Sequence, residues 1–181
     1  MKKHRHRILG AVLFVLYLVL LTYFLFFAEE MGRSPDARAE YSYNLTLFKE
    51  IRRFILYRDI LGWRAVFLNI FGNVLAFMPF GFLLPLIWKN FRNAKKVVLM
   101  GFLMSLAIEI CQLFNLRATD IDDLMMNTLG ALVGYCCWKV FSLIFRNAGT
   151  KCMEIKKSEP VIYMFGGILG LFLLYNWRVF D

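Results

Sequence analysis

Long apolar runs constrain this chain more than any other feature of its sequence. They cover residues 8–27, 66–88, 97–114, 124–145 and 161–177. About 20 apolar residues in a helix are enough to cross the hydrocarbon core of a bilayer. The runs therefore predict an all-α, polytopic membrane protein with about five transmembrane helices, forming a single membrane domain over residues 1–181.

The composition excludes most soluble folds. Apolar residues make up 60% of the chain and charged residues 19%. A soluble domain is about 45–50% apolar and about 25% charged. One globular core of this size cannot bury so many large side chains, because surface-to-volume scaling limits the buried fraction. The four Cys lack the spacing of a zinc site, and those in the apolar runs are expected to be buried thiols.

The distribution of Lys and Arg predicts the orientation. With the N-terminus inside, the inner segments contain 13 of the 22 Lys and Arg residues. Cytoplasmic loops carry such an excess in membrane proteins, so the net charge of +9 gives no indication of nucleic-acid binding. The first run is too long for a signal peptide, so we expect an uncleaved helix. All four Trp lie near the ends of runs, as an interfacial aromatic belt requires.

The first outer loop, residues 28–64, contains a second pattern. From Leu47 to Leu61, apolar residues recur at helical spacing with basic residues between them. This pattern predicts an amphipathic helix in the plane of the interface, with its basic face toward lipid phosphates. A solvated spacer without a ligand explains the same pattern. The candidate headgroup-binding residues are Arg52, Arg53 and Arg58.

Polar side chains inside or beside the apolar runs point to a site, because ionisable groups in membrane helices are costly. Several are three or four residues apart, so they share a helix face. In the predicted orientation they all lie toward the outer surface. We therefore predict a polar site in the outer leaflet. Its candidate residues are Asn69, Asn73, Ser105, Glu109, Gln112, Arg117, Asp120, Asp123 and Asn127.

Each of these residues also has a purely structural interpretation. The asparagines suit hydrogen bonds between helices, and Glu109 suits a protonated group bonded to Gln112 or Asn73. The aspartates of the 115–123 loop suit an N-cap and first-turn acids, with Arg117 paired to one of them. Those aspartates are Asp120, Asp122 and Asp123.

Three segments resemble the VanZ-like family of bacterial membrane proteins. Residues 69–85 resemble its Asn…Pro-Phe-Gly helix, and residues 105–130 have its Ser-xxx-Glu-xx-Gln…Arg-xx-Asp-xx-Asp-xxx-Asn-xx-Gly order. Residues 44–48 resemble an Asn-Leu-x-Pro-Phe element, with Leu47 in place of the Pro. The resemblance implies a multi-pass protein of the bacterial cell membrane. It also implies an association with low-level resistance to teicoplanin, a lipoglycopeptide that acts at the outer face of the membrane.

Two main functions follow as hypotheses. The favoured one is a non-enzymatic cell-envelope factor whose outer site binds an anionic lipid or a lipid-linked cell-wall precursor, or meets the lipoglycopeptide itself. The alternative is a metal-assisted enzyme acting on a lipid phosphate or lipid-linked sugar. There Asp120 and Asp123 would hold a divalent cation and Glu109 would be the acid/base. A transporter using Glu109 is disfavoured by the lack of an inverted repeat. No cofactor is predicted.

Overall fold

The computed structural model describes residues 2–27, 43–44, 46–114, 119–145 and 159–177. The longer helices are α1 (Lys2–Phe27), α4 (Trp63–Ile87), α5 (Ala94–Phe114), α6 (Ile121–Ile144) and α7 (Glu159–Trp177). Two short helices, α2 (Lys49–Leu56) and α3 (Arg58–Leu61), precede α4, and a 3₁₀ turn (Lys89–Phe91) follows it. Strands β1 (Tyr43–Asn44) and β2 (Thr119–Asp120) complete the described part of the chain.

The long helices match the five apolar runs, which confirms the helical fold class. Each helix begins before its run does. For example, α6 begins at Ile121 where the run begins at residue 124, because Asp120 caps the helix and its polar first turn precedes the apolar stretch. In the same way α5 begins at Ala94, two residues before the run's flanking Lys96. Counting apolar residues misses such polar first turns.

Among the described residues, two helical stretches are long and apolar enough to cross a membrane: Val66–Ile87 and Ile121–Ile144. Shorter apolar stretches occupy Ile8–Tyr23 in α1 and Pro160–Gly170 in α7. Large apolar side chains are exposed on these helices; Leu143 of α6 is 72% exposed. Contiguous exposed apolar surface of this kind indicates a lipid or protein partner. Together these features indicate a membrane location, while the five crossings and the inside N-terminus stay predictions.

The centre of the fold is the packing of α4 against α6, the most extensive helix contact in the described part of the chain. Glycines bring the two backbones together. A Cβ added at Gly134 would overlap the Met78 carbonyl, and one at Gly81 would overlap the Ala131 carbonyl. Small residues allow this close approach in membrane helices. Gly166 and Gly170, on α7, have open space beside them.

Helix α1 packs beside this pair through aromatic and aliphatic side chains. Phe14 is fully buried, and its ring lies 4.9 Å from that of Trp88 in an edge-to-face arrangement. The Tyr17 hydroxyl donates a hydrogen bond of 2.7 Å to the carbonyl oxygen of Ala76. Helix α4 also contains Pro79, which lacks the backbone N–H that a helix interior requires. The helix nevertheless continues through Pro79 to its end.

The segment predicted to form an amphipathic helix forms two short helices, and its place in the membrane interface stays a prediction. α2 ends at Leu56 and is followed by Tyr57, which has a non-helical conformation; α3 ends at Leu61 and is followed by Gly62. Gly62 has a φ of 81°, which a residue without Cβ adopts at no steric cost. Side-chain periodicity continues through Tyr57, so the sequence pattern alone does not reveal the break.

Two side-chain placements differ from the sequence expectations. Trp88 and Trp138 are buried, so they do not face lipid as residues of an aromatic belt do. Cys136 and Cys137 are exposed on α6 instead of buried. Both differences have one cause: an apolar run shows that a segment is hydrophobic, but the packing of neighbouring helices decides which side is covered.

Candidate functional site

Buried polar side chains collect where the end of α5, the start of α6 and the middle of α4 meet. We call this set the polar network; it comprises Asn73, Ser105, Glu109, Gln112, Asp120, Asp122, Asp123 and Asn127. Ser105 is fully buried, and Glu109 is 5% exposed. A buried polar group without a hydrogen bond lowers the free energy of unfolding, so each hydrogen bond in the network contributes to the stability of the fold.

Asp120 holds the start of α6. Its carboxylate accepts a hydrogen bond of 2.9 Å from the backbone N–H of Asp122, as an N-cap does. Its own backbone N–H donates to the Glu109 carboxylate at 3.2 Å. Glu109 therefore joins α5 to the residue that starts α6. The capping interpretation of Asp120 is confirmed.

Asp122 has a role that sequence reasoning missed. Its carboxylate accepts hydrogen bonds from the backbone N–H groups of Phe48 and Ile51, the second at 3.5 Å. These groups belong to the N-terminal end of α2, where a helix has N–H groups without intrahelical partners. Phe48, the N-cap residue, makes no side-chain cap of its own and has a φ of 63°. Asp122 thus caps a helix from 74 residues away in the sequence.

The sequence signal for this contact is indirect. Residues 44–48 resemble a family element, and the structure places Asn44 and Phe48 of this element against residues 119–122. Tyr43 and Asn44 pair with Thr119 and Asp120 as a two-strand parallel ladder. The backbone ladder and the Asp122 cap both fix the start of α2, and neither depends on an apolar pattern.

The other predicted residues link α4, α5 and α6. The side-chain amide of Asn73 donates to the Asp123 carboxylate, and that of Asn127 donates to the Ser105 hydroxyl at 2.9 Å. The Oδ1 atom of Asn127 is buried and has no hydrogen-bond partner among the described residues. Gln112 is also buried.

The structure therefore brings together most of the predicted site. Arg117 lies outside the described residues, as does the side chain of Asn69. The network is more buried than a site that opens to the outside would be. Its most exposed members are Asn73 and Asp123, and even these are half-buried.

The three predicted headgroup residues are exposed on the two short helices. Arg52 and Arg53 lie on α2, and Arg58 begins α3. Arg53 lies over the Phe54 ring at 5.5 Å, and Arg58 lies over the Trp63 ring at the same distance. Arg58 also forms an ion pair of 3.7 Å with Asp59, but so exposed a pair contributes little to stability.

The predicted alternative metal site has few ligands. Among the described residues, no group of three or more His, Cys, Asp or Glu side chains is arranged to hold a metal ion. Asp120 and Asp123, the two suggested ligands, each accept a hydrogen bond from within the network. Their carboxylates act in the described structure as acceptors that join helices.

Comparison with known proteins places this arrangement in a family. The model of the VanZ/LLP1 family matches residues 14–143, which include the whole polar network. The chain is 33% identical to "Protein VanZ" of Enterococcus faecium over 174 residues, which cover 95% of this chain and 94% of that protein. No solved structure matches the chain. A family match over most of the chain, together with a relative of nearly equal length, shows that this protein belongs to the VanZ/LLP1 family.

Proposed function

We propose that this protein is a membrane-embedded factor of the bacterial cell envelope. It binds an anionic lipid headgroup, or the phosphate of a lipid-linked cell-wall precursor, at the end of the fold that contains the polar network. By occupying that headgroup it lowers the access of teicoplanin to its site of action, and the result is low-level resistance. The protein acts by binding, without a chemical step.

The observation that carries this proposal is the convergence of the three segments that resemble the family. In the 44–48 segment, Asn44 pairs with Asp120 in the backbone ladder and the Phe48 N–H donates to Asp122. In the 69–85 segment, the side-chain amide of Asn73 donates to the Asp123 carboxylate, which belongs to the third segment. Three separate segments that meet at one network favour a shared role at that place, because packing alone needs no polar residues there.

The basic residues of α2 supply the attraction for an anion. Lys49, Arg52 and Arg53 are exposed on a helix whose start is fixed to the network by Asp122. Arg presents a planar set of donors that matches phosphate oxygens. A fixed helix start also lowers the entropy lost when these side chains bind a headgroup. In this proposal the network orients α2, and α2 contacts the ligand.

The metal-assisted enzyme remains the second candidate, supported by the position of Glu109 beside Asp120. It needs Asp120 and Asp123 to leave their present hydrogen bonds and coordinate a cation. The same variants test both candidates, because an enzyme requires the metal and a binding protein does not.

A susceptibility assay tests the proposal. We would express the protein in a susceptible Gram-positive host and measure growth inhibition by teicoplanin and by vancomycin, together with the lipid composition of the envelope. We expect reduced teicoplanin susceptibility that is lost in Glu109→Gln and in the double variant Arg52→Gln/Arg53→Gln. Western blots of membrane fractions ensure equal abundance. Unchanged susceptibility on expression of the wild type would contradict the proposal.

A binding assay separates the two candidate functions. Purified full-length protein would be exposed to micelles that contain phosphatidylglycerol or phosphatidylcholine, with and without EDTA. We expect preferential retention of phosphatidylglycerol that EDTA does not change and that Arg52→Gln/Arg53→Gln weakens. Retention that EDTA abolishes, with a lipid product altered in Asp123→Asn, would support the enzyme instead.

A further inference from the structure

The opposite end of the α4–α6 pair contains a second polar arrangement, which no predicted site includes. Trp88 lies 15 residues beyond Asn73 on α4, about 22 Å along the helix axis. There the guanidinium of Arg92 lies over the ring of Trp138, with Cζ 5.8 Å from the ring centroid. The Tyr135 hydroxyl donates to the Arg92 carbonyl oxygen at 3.4 Å, and the Tyr135 and Trp138 rings are 5.5 Å apart.

The segments of α4, α5 and α6 at this end carry only positive charge. Neither residues 65–108 nor residues 124–145 contain an Asp or a Glu, and their basic residues are Lys89, Arg92, Lys95, Lys96 and Lys139; we call them, with Trp138, the basic end. Helix α7, which begins at Glu159 and places the Tyr163 ring 6.4 Å from that of Trp88, brings an acid to the same end. Five cations on these segments still leave a net positive local field, and such a field favours an anionic partner.

The start of α5 adds donors to the basic end. Asn93 accepts a hydrogen bond of 2.9 Å from the backbone N–H of Lys95 and so caps the helix. The Lys96 ammonium bonds to the side chain and carbonyl oxygens of Asn90, which holds the connecting turn in shape. A helix start carries partial positive charge and is suited to an anion.

A buried donor gives independent support for a ligand. Trp138 is 7% exposed, and its indole N–H has no acceptor among the described residues. A buried N–H without an acceptor loses its hydration without compensation, at a cost of about 1–3 kcal/mol. Tryptophan is usually placed so that this group is satisfied. Trp138 is therefore prepared for an acceptor oxygen, and the Arg92 side chain covers it.

We propose that the basic end binds the phosphate of an anionic phospholipid headgroup. The Arg92 guanidinium makes the principal contact, and its movement toward the phosphate uncovers the Trp138 indole for one of the oxygens. Lys95 and Lys139 are exposed and add only their field. Basic pockets at the ends of membrane helices are suited to such headgroups. This site is separate from the polar network and does not depend on the function proposed there.

The test measures lipid retention by native mass spectrometry of the full chain. It uses the Arg52→Gln/Arg53→Gln background, which removes the α2 cations, so that loss of the first proposed site does not obscure the second. We expect preference for phosphatidylglycerol over phosphatidylcholine. Arg92→Gln should weaken phosphatidylglycerol binding about tenfold or more, as loss of a charge-assisted contact does. Lys95→Gln, which removes the same charge from an exposed position, should weaken it about twofold at most.

Further variants keep the proposal open to refutation if Arg92→Gln fails to fold. Arg92→Lys keeps the charge but loses the planar donors, and Trp138→Phe removes only the N–H; both should weaken binding severalfold. Equal effects of Arg92→Gln and Lys95→Gln would overturn the site in favour of a diffuse field. So would the lack of any preference for phosphatidylglycerol. Stabilisation of wild type by inorganic phosphate, lost in Arg92→Gln, without phosphatidylglycerol retention would assign the site to free phosphate and overturn the lipid assignment.

Discussion

The two ends of the α4–α6 pair use charge in opposite ways. At one end, carboxylates are buried and accept hydrogen bonds from backbone N–H groups, so that Asp120 starts α6 and Asp122 starts α2. At the other end, the Arg92 guanidinium lies over the ring of Trp138, whose buried indole N–H has no acceptor among the described residues. At the first end the backbone N–H groups of the chain satisfy the carboxylates, whereas the second contains a donor that an outside group can satisfy. A polar residue in an apolar protein therefore needs its partners identified before its function is inferred.

The two ends keep their relative positions only while α4 and α6 stay packed together. A substitution that disturbs this packing should have the largest effect on stability. Gly134→Ala places a Cβ against the Met78 carbonyl, so the backbones must separate. We expect a loss of about 3 kcal/mol, measured by thermal unfolding in detergent. Gly166→Ala, at a glycine with open space beside it, should change stability little. Equal losses in both variants would mean that the close α4–α6 contact is not critical.

The next largest effect on stability is expected at Asp122, which is part of the polar network. Asp122→Ala leaves the N–H groups of Phe48 and Ile51 without their acceptor. We expect a loss of about 1.5–3 kcal/mol and faster proteolysis within α2. Asp59→Asn, which alters a carboxylate whose side chain is 85% exposed, is the control and should have little effect. If the two variants are cleaved equally fast, Asp122 does not hold α2.

A smaller effect is expected in the deepest part of the polar network. Ser105→Ala leaves the Asn127 amide without its acceptor, at a cost of about 1–2 kcal/mol. The double variant Ser105→Ala/Asn127→Leu removes both partners and should be less destabilised than the sum of its single variants. A double-mutant cycle in urea or heat measures the coupling. Strict additivity would show that the hydrogen bond has no net value.

The smallest effect on stability is expected at the exposed cations. Arg52→Gln/Arg53→Gln should leave the unfolding temperature within about 1 °C of wild type, because exposed charges contribute little to folding. The same variant should lose lipid retention and protection. A large drop in the unfolding temperature would mean that these residues support the fold, and their binding role would then lack support.

The long helices could be predicted because their signal is local: an apolar run of sufficient length reports its own secondary structure. Their starts could be predicted only approximately, since Asp120 and Asn93 cap polar first turns that precede the apolar residues. Most members of the polar network were also named from the sequence, because helical spacing places Ser105 and Glu109 on one face, but Asp122 was not among the predicted site residues.

The remaining features depend on contacts between distant residues. The Asp122 cap joins residues 74 positions apart, and no local pattern marks its partner. The strand pair consists of backbone hydrogen bonds that side-chain patterns do not encode. Burial of Trp88 and Trp138 results from the packing of α1, the connecting turn and α6 around them. Polar residues in apolar segments can therefore be recognised from the sequence, but the residues that they contact are known only from the fold.

The central claim is that Asp122 holds α2 at the polar network so that its cations act on a ligand of the cell envelope. The most direct measurement compares teicoplanin susceptibility in hosts expressing wild type, Asp122→Ala or Asp59→Ala at equal abundance in the membrane. We predict protection by wild type and by Asp59→Ala, and susceptibility of the Asp122→Ala strain equal to that of the empty-vector strain. Full protection by Asp122→Ala would contradict the claim.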